Sequence, residues 1–469
     1  MTFARNRLQG VLASVVGLLA GCASQPPPPP SALSAAARAV SFDARSLRDA
    51  GLRQFLAENL GAAPTDAWDF ETLGWVAFYY HPSLELARAQ WATARAVATT
   101  AGVRPNPTLT FTPGYNSTRV PGVSPWMPGI NFDFLFPTAG KRGHQEAIAR
   151  SDAEAARLAV FSAAWQIRAE LRRALMDATA AVRREGLLRG QLEVQQKLVA
   201  LLEQRFAAGS AAATDVSVLH TAALRAEAVA ADAASQTVIA RSRVAAALGL
   251  PLAALDGVTL PAAPALAVFS SDALAQARRE SLQSRADVLV ALAKYQSAQS
   301  TLELEFAKRM PDIHLGPGYQ WDQGTNKWTL GISLELPIFH RNEAPIAEAT
   351  ARRAEAAAQF NVVQAQAIAA IDAAVVAQSA AGIQLARARL LRTEIEKQGA
   401  LVRQRLELGG ADQVEVQTAR LDLATVDTAV ADAESANALA AGQLEDALQL
   451  PFPHLAALAA AVPANSRTP

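Results

Sequence analysis

Residues able to do chemistry gather at two places in this chain, residues 205–215 and 405–415. The first holds Arg205, Gly209, Ser210 and Asp215, and the second holds Arg405, Glu407, Gly409, Gly410, Asp412 and Glu415. Guanidinium and carboxylate groups this close can pair, and unpaired acids can attract cations. Acids just past a glycine also suit the first turn of a helix, whose macrodipole favours negative charge. A third set, Asp133, His314 and Glu335, lies in stretches where apolar and small or polar residues alternate. Catalytic patterns are missing. The chain has no phosphate-cradling G-x4-G-K-S/T, no G-x-S-x-G and no H-E-x2-H. The 6 histidines are scattered and lack the i, i+4 spacing of helical metal ligands. The expectation is therefore no enzyme, no metal site and no cofactor.

Composition narrows the class further. Lys+Arg and Asp+Glu number 43 each, so the net charge is +0, which argues against a nucleic-acid partner. Hydrophobic residues make up 51% but aromatics only 6%, and mean hydropathy is only +0.11. Much of the apolar share is alanine, a helix former that fills little core volume. A length of 469 residues suggests about three domains at ~150 residues each.

Arg5 and Arg7 precede a short apolar run, Val11–Ala20, that ends in Leu19-Ala20-Gly21-Cys22. This reads as a signal peptide over residues 1–21 and is too short for a membrane helix. Cys22, the sole cysteine, stands where the bacterial lipoprotein box requires one. That resemblance implies cleavage before Cys22, acylation of its thiol (palmitate among the chains) and, with Ala23 next, sorting to the outer membrane. Pro26–Pro30 then form a stiff spacer. Further on, the most apolar stretch, Phe360–Gln378, is interrupted by Asn361, Gln364, Gln366 and Asp372. No helical membrane span is expected; a β-barrel span stays open.

Self-comparison organises the rest. At an offset of 200, Arg205–Pro251 aligns on Arg405–Pro451 with 13 identities in 47 positions, Gly209/Gly409, Asp232/Asp432 and Pro251/Pro451 among them. At an offset of 204, Pro107-x5-Pro113-Gly114-Tyr115 aligns on Pro311-x5-Pro317-Gly318-Tyr319. The chain divides into a leader at 1–21 and an N-terminal linker at 22–65. A first repeat at 66–252 is joined by a linker at 253–269 to a second at 270–452, and a tail covers 453–469.

Each repeat predicts helix, hairpin, long helix, tip, helix. Phe70–Val103 and Ser271–Arg309 read as helices stopped by prolines. Strands follow with period 2: Thr108–Tyr115 and Ile130–Phe136 in the first repeat, Asp312–Trp321 and Trp328–Leu336 in the second. His144–Phe206 and Ile346–Leu408 contain no proline, so each predicts a helix of about 63 residues, ~95 Å long. Return helices are expected over Thr214–Leu248 and Gln413–Leu448. Strands of this length cross an outer membrane when tilted, and Tyr115, Trp126, Tyr319, Trp321 and Trp328 suit an interfacial girdle. Four strands cannot close a barrel, for which about eight are needed. If the hairpins span a membrane the chain must oligomerise, and a trimer supplies twelve strands.

The lipoprotein box, the duplicated plan, Arg104-Pro105-Asn106-Pro107 and Phe136-Pro137-x2-Gly140-Lys141-Arg142 resemble the TolC-like outer-membrane efflux family. The Asn-Pro and Gly-Lys-Arg elements are most similar to its heavy-metal (CzcC/CusC-like) branch. The resemblance covers about residues 66–452. It implies a mainly α protomer with a small β part, three of which form a twelve-stranded barrel continued by a tunnel of twelve helices. It implies a homotrimer in the outer membrane that docks to a periplasmic adaptor and an inner-membrane resistance-nodulation-division pump. It also implies a gate at the helical tips. Glu415 matches a position where the family carries a constriction acid, and Asp412 is a displaced substitute. The second family acid is Thr418 here. Asp215 resembles a family residue that bridges to the neighbouring helix pair, with Arg205 and Arg405 as partners. Gly209, Ser210, Gly409 and Gly410 are then adaptor contacts, and Asp133, Glu335 and His314 lumen residues. Two other readings compete, a periplasmic adaptor lipoprotein and a structural coiled coil. The first would carry one hairpin between β-rich domains, and the second would need no Pro-bounded strands.

Overall fold

The computed structural model describes residues 35–60, 68–118, 121–262 and 271–449. Cys22, the leader, the proline run and the 453–469 tail lie outside the described residues. Chain order is α1 (Ala35–Asp43), α2 (Ala50–Leu60), α3 (Phe70–Tyr80), α4 (Pro82–Thr100), β1 (Thr108–Tyr115), β2 (Trp126–Phe136), α5 (Lys141–Ala207) and α6 (Ala213–Leu248). The second repeat runs α7 (Ser271–Ser284), α8 (Ala286–Ala307), β3 (Ile313–Asp322), β4 (Thr325–Leu334), α9 (Glu343–Glu407) and α10 (Gln413–Leu448).

The two helices expected as continuous are each split. His81 ends α3 in an extended conformation, φ −76 and ψ 121, because the ring of Pro82 disfavours helical geometry in the preceding residue. Arg285 makes the matching break between α7 and α8, φ −58 and ψ 127, without a proline. There the cause is tertiary. Its buried guanidinium donates to the Ala447 carbonyl and pairs with Asp287 at 2.6 Å.

The long helices α5 and α9 run 67 and 65 residues. Alanine and straight-chain residues sustain them, and left-handed residues start them: Gly140 at φ 71 and Asn342 at φ 59. α5 lies at the centre of the helical layer, against α4, α6, α8 and α10, while α9 packs on α8 and α10. α9 also holds an 18-residue stretch long and apolar enough by composition to cross a bilayer, where the sequence reading expects none. That stretch is rich in alanine, and its helix is three times longer than a span and packs along α10.

Midway along the helices sits the main apolar cluster. Leu52, Phe55 and Leu56 of α2 meet Leu73, Trp75 and Val76 of α3, Leu171 and Leu175 of α5, and Val244 and Leu248 of α6. The segment expected as a linker therefore contributes a helix to the core. Arg45 fastens it by donating to the carbonyls of Tyr80 and Gly249, at 3.1 and 2.9 Å.

The sheet is antiparallel, in the order β1-β2-β3-β4, so the hairpins of the two repeats join edge to edge with Phe136 opposite Ile313. Register and pleat sort its side chains. Leu109, Phe111, Ile130, Phe132, Phe134, Leu315, Leu330 and Ile332 share one face; Thr110, Asn131, Asp133, His314, Gly318 and Ser333 share the other. Among the described residues nothing covers the apolar face: Trp328 is 81% and Ile332 67% exposed.

Candidate functional site

The tips of the two helical pairs are built alike. In the first, the Gly209 amide donates to Phe206 O at 2.9 Å and the Ser210 amide to Arg205 O at 2.8 Å. In the second, Gly409 donates to Leu406 O at 3.0 Å and Gly410 to Arg405 O at 2.8 Å. This pair of bonds closes a helix only when the capping residue is left-handed, and both glycines sit at φ 71. The shared Arg-x3-Gly spacing thus encodes a turn, repeated once per half.

Charge then joins the tips. Arg205 Nη2 lies 2.8 Å from Asp412 Oδ2, a contact between the two repeats. Asp412 is also the N-cap of α10, its Oδ1 accepting from the amides of Val414 and Glu415 at 2.8 and 2.9 Å. The Glu415 amide, with the Arg205 guanidinium next, holds the Asp412 carboxyl below the usual range. Arg405 stays within its own tip, 3.4 Å from Glu415 Oε2 and donating to Gly410 O at 2.6 Å. Asp215 lies in the first turn of α6 and makes no ion pair among the described residues. Within one chain, Arg205 therefore pairs with Asp412 rather than with Asp215.

Further up, ion pairs pin α5 to α10 and α10 to α9. Glu434 accepts from Arg183 at 2.5 Å and from Arg389 at 2.8 Å, and its carboxyl is held low, chiefly by the Arg389 bond. Arg184 pairs with Asp432, and Arg392 with Asp427 at 2.7 Å. At mid-height Arg172 of α5 is 1% exposed and pairs with Asp446 and, at 2.6 Å, with Glu445 of α10. The Glu445 contact is a close ion pair rather than an aligned hydrogen bond, since Nη1 finds no well-oriented acceptor. Where the sheet meets the helices, Lys141 Nζ reaches Asp312 Oδ1 at 2.6 Å and Met310 O at 2.7 Å. That pair ties the end of the first hairpin to the start of the second. Sequence reasoning missed both pairs, whose partners lie 171 and 274 residues apart in the chain.

On the polar sheet face His314 Nδ1 sits 2.9 Å from Asp133 Oδ2. Glu335 follows β4 and lines the same cleft as His314. Among the described residues no group of three or more His, Cys, Asp or Glu is placed to hold a metal ion. The aromatics gather at the sheet end farthest from the helices. Tyr115 packs on Trp126 with ring centres 5.0 Å apart, and Tyr319 on Trp328 at 4.9 Å.

A four-stranded sheet with one apolar face thus stands on a long duplicated helical layer whose two tips are matched turns. The family described as outer membrane efflux protein matches residues 78–250 and 277–448, one stretch in each half. The chain belongs to the outer membrane efflux protein family. Membership places it in the outer membrane and in efflux. Solved structures of outer-membrane channels share the fold. VceC of Vibrio cholerae is 23% identical, with a TM-score of 0.68 over 81% of this chain and 95% of that one. CmeC of Campylobacter jejuni is 14% identical, with a TM-score of 0.68 over 85% and 90%. The MtrE channel of Neisseria gonorrhoeae, in its open state, is 16% identical, with a TM-score of 0.64 over 81% and 88%. The chain matches no curated protein by sequence.

Proposed function

We propose that three copies of this chain form the passive, gated exit duct of a tripartite efflux system. A single observation carries the reading. The sheet has one exposed, mainly apolar face and two unpaired edges, β1 and β4. Lipid tolerates an apolar face but not open backbone edges, so the edges must find each other in neighbouring copies. Three four-stranded sheets then make a twelve-stranded barrel, wide enough for a water-filled lumen. The helical layers continue it as a tunnel into the periplasm. Cys22 tethers each copy to the membrane by its lipid.

Asp133, Glu335 and His314 face the lumen in this arrangement. Glu415, Asp412, Asp215, Arg405 and Arg205 form the periplasmic gate, where three-fold symmetry turns each side chain into a ring. The turns at Gly209, Ser210, Gly409 and Gly410 meet the periplasmic adaptor. An inner-membrane resistance-nodulation-division pump supplies energy and selects cargo, metal ions or drugs.

Outer-membrane fractions run unheated and heated test the assembly: a trimer band that collapses to monomer on heating is expected. Monomer under both conditions sinks the duct. Metal and drug sensitivity of a deletion strain then assigns the cargo class.

A further inference from the structure

The apolar sheet face ends, on the helical side, at Phe136, Ile313 and Leu334. Each of the four strands has a cation within a few residues of that end: Arg104 before β1, Arg142 after β2, Arg309 before β3 and Arg341 after β4. All four are exposed. Among the described residues none of these guanidinium groups makes an ion pair. The lysines beside them differ. Lys141 is neutralised by Asp312 at 2.6 Å and Lys308 by Glu305 at 2.7 Å. At the far end of the sheet Lys327 is likewise tied to Asp322 at 2.5 Å. Among the described residues next to the strands, the cations without an ion pair thus lie at one level, directly below the apolar band.

Arg142, Arg309 and Arg341 line a single cleft of about 730 Å³ at this level. Ile338 and Phe339 line it too and are 74% and 94% exposed. With Leu334 and Leu336 they carry the apolar run past the end of β4. Of the two carboxylates in the cleft, Asp312 is held by Lys141, and Glu335 stands on the polar, His314 side. Three free guanidinium groups beside exposed apolar side chains match the two ends of one ligand. A phosphodiester takes bidentate bonds from arginine, and acyl chains cover the apolar surface.

We infer that this collar binds the head group of an anionic phospholipid at the membrane leaflet facing the helices. The inference rests on the membrane-embedded reading of the sheet. Basic side chains next to an anionic lipid surface each strengthen binding, so three together favour anionic over zwitterionic lipid about tenfold or more.

The test uses the full chain, reconstituted into vesicles of phosphatidylcholine alone or with one-third phosphatidylglycerol, alongside lipid titration by native mass spectrometry. Preferential retention of phosphatidylglycerol by about tenfold, abolished in R142Q/R309Q/R341Q and restored in R142K/R309K/R341K, is expected. Helical circular dichroism and trimer migration report that the variants fold. Equal retention of both lipids, with normal insertion, overturns the collar and leaves the embedded sheet standing. Failure to insert into either vesicle overturns both. Displacement of phosphatidylglycerol by inorganic phosphate at equal concentration overturns the lipid in favour of a free anion.

Discussion

Arg205 and Asp412 face each other 2.8 Å apart across the tips of the two repeats, and the same aspartate caps helix α10. One carboxylate therefore does two jobs with different oxygens. Oδ1 holds the first turn of α10, and Oδ2 holds the other repeat. Aligned sequence positions explain why the reverse link is missing among the described residues. The residue equivalent to Asp412 is Ala212, and α6 begins without a side-chain cap.

The two jobs can be separated. Asn caps as well as Asp does but cannot pair with Arg205 as an anion. D412N and R205A should raise single-channel conductance in planar bilayers by similar amounts, with thermal stability little changed. D412A should do the same and also lower stability by about 1 kcal/mol for the lost cap. The exposed ion pair itself contributes under ~1 kcal/mol per chain, so its effect depends on being tripled. Unaltered conductance in both D412N and R205A removes the pair from the gate.

Acidity should open the tip only at low pH. Asp412 and Glu434 titrate lower in the folded chain than in the unfolded one, through the Glu415 amide and the Arg389 bond respectively. Their contribution is complete above the unfolded values, near pH 4 to 4.5, and is lost as pH falls through the folded ones. Closed-state conductance measured from pH 8 down should be flat to about pH 5 and rise below about pH 4. A step between pH 6 and 7 would place the controlling charge on a histidine instead.

Arg172 should be the most sensitive charge for stability. It is 1% exposed, so R172A strands Glu445 and Asp446 with only the more distant Arg168, 3.9 Å from Glu445. Removing one partner of a buried cluster costs about 3–5 kcal/mol. Replacing all three with apolar residues of similar size, R172M/E445L/D446L, should recover most of that loss. Thermal unfolding followed by circular dichroism reads both. An R172A midpoint equal to the parent's would show that the cluster is hydrated and holds little.

Much of this architecture is legible in the sequence because it is local. The alternation Trp328, Leu330, Ile332 declares a strand with two unlike faces. Gly324 marks the turn before it and Pro337 follows its end, and Arg-x3-Gly marks each tip. What escapes is carried by contacts between distant residues. Pro82 marks the break at His81 in the chain itself, whereas the break at Arg285 depends on the Ala447 carbonyl, 162 residues away. The choice of Asp412 by Arg205 is equally non-local, since Asp215 lies nearer in sequence. The helix Ala50–Leu60 has a short, weakly patterned sequence whose burial is decided by Trp75 and Tyr79 packing on Phe55.

Closure of the barrel makes a parity prediction. Apolar side chains of β1 are odd-numbered, at 109 and 111, and those of β4 are even-numbered, at 328, 330 and 332. A β4 strand that pairs with β1 of the next copy must keep both apolar sets on the lipid side, because a one-residue slip would turn every side chain over. Ser333 belongs to the polar face and can then oppose only an even-numbered β1 residue. Cysteine at Ser333, combined in turn with cysteine at Thr108, Thr110 and Thr112, should give disulfide-linked trimers in at least one combination. The native Cys22 is accounted for by running the S333C single variant beside each pair. Combinations with Leu109 or Phe111 should give none, because those side chains leave the opposite face. Cross-links formed equally by odd and even partners would mean that the edges do not pair, and the twelve-stranded barrel would have to be abandoned.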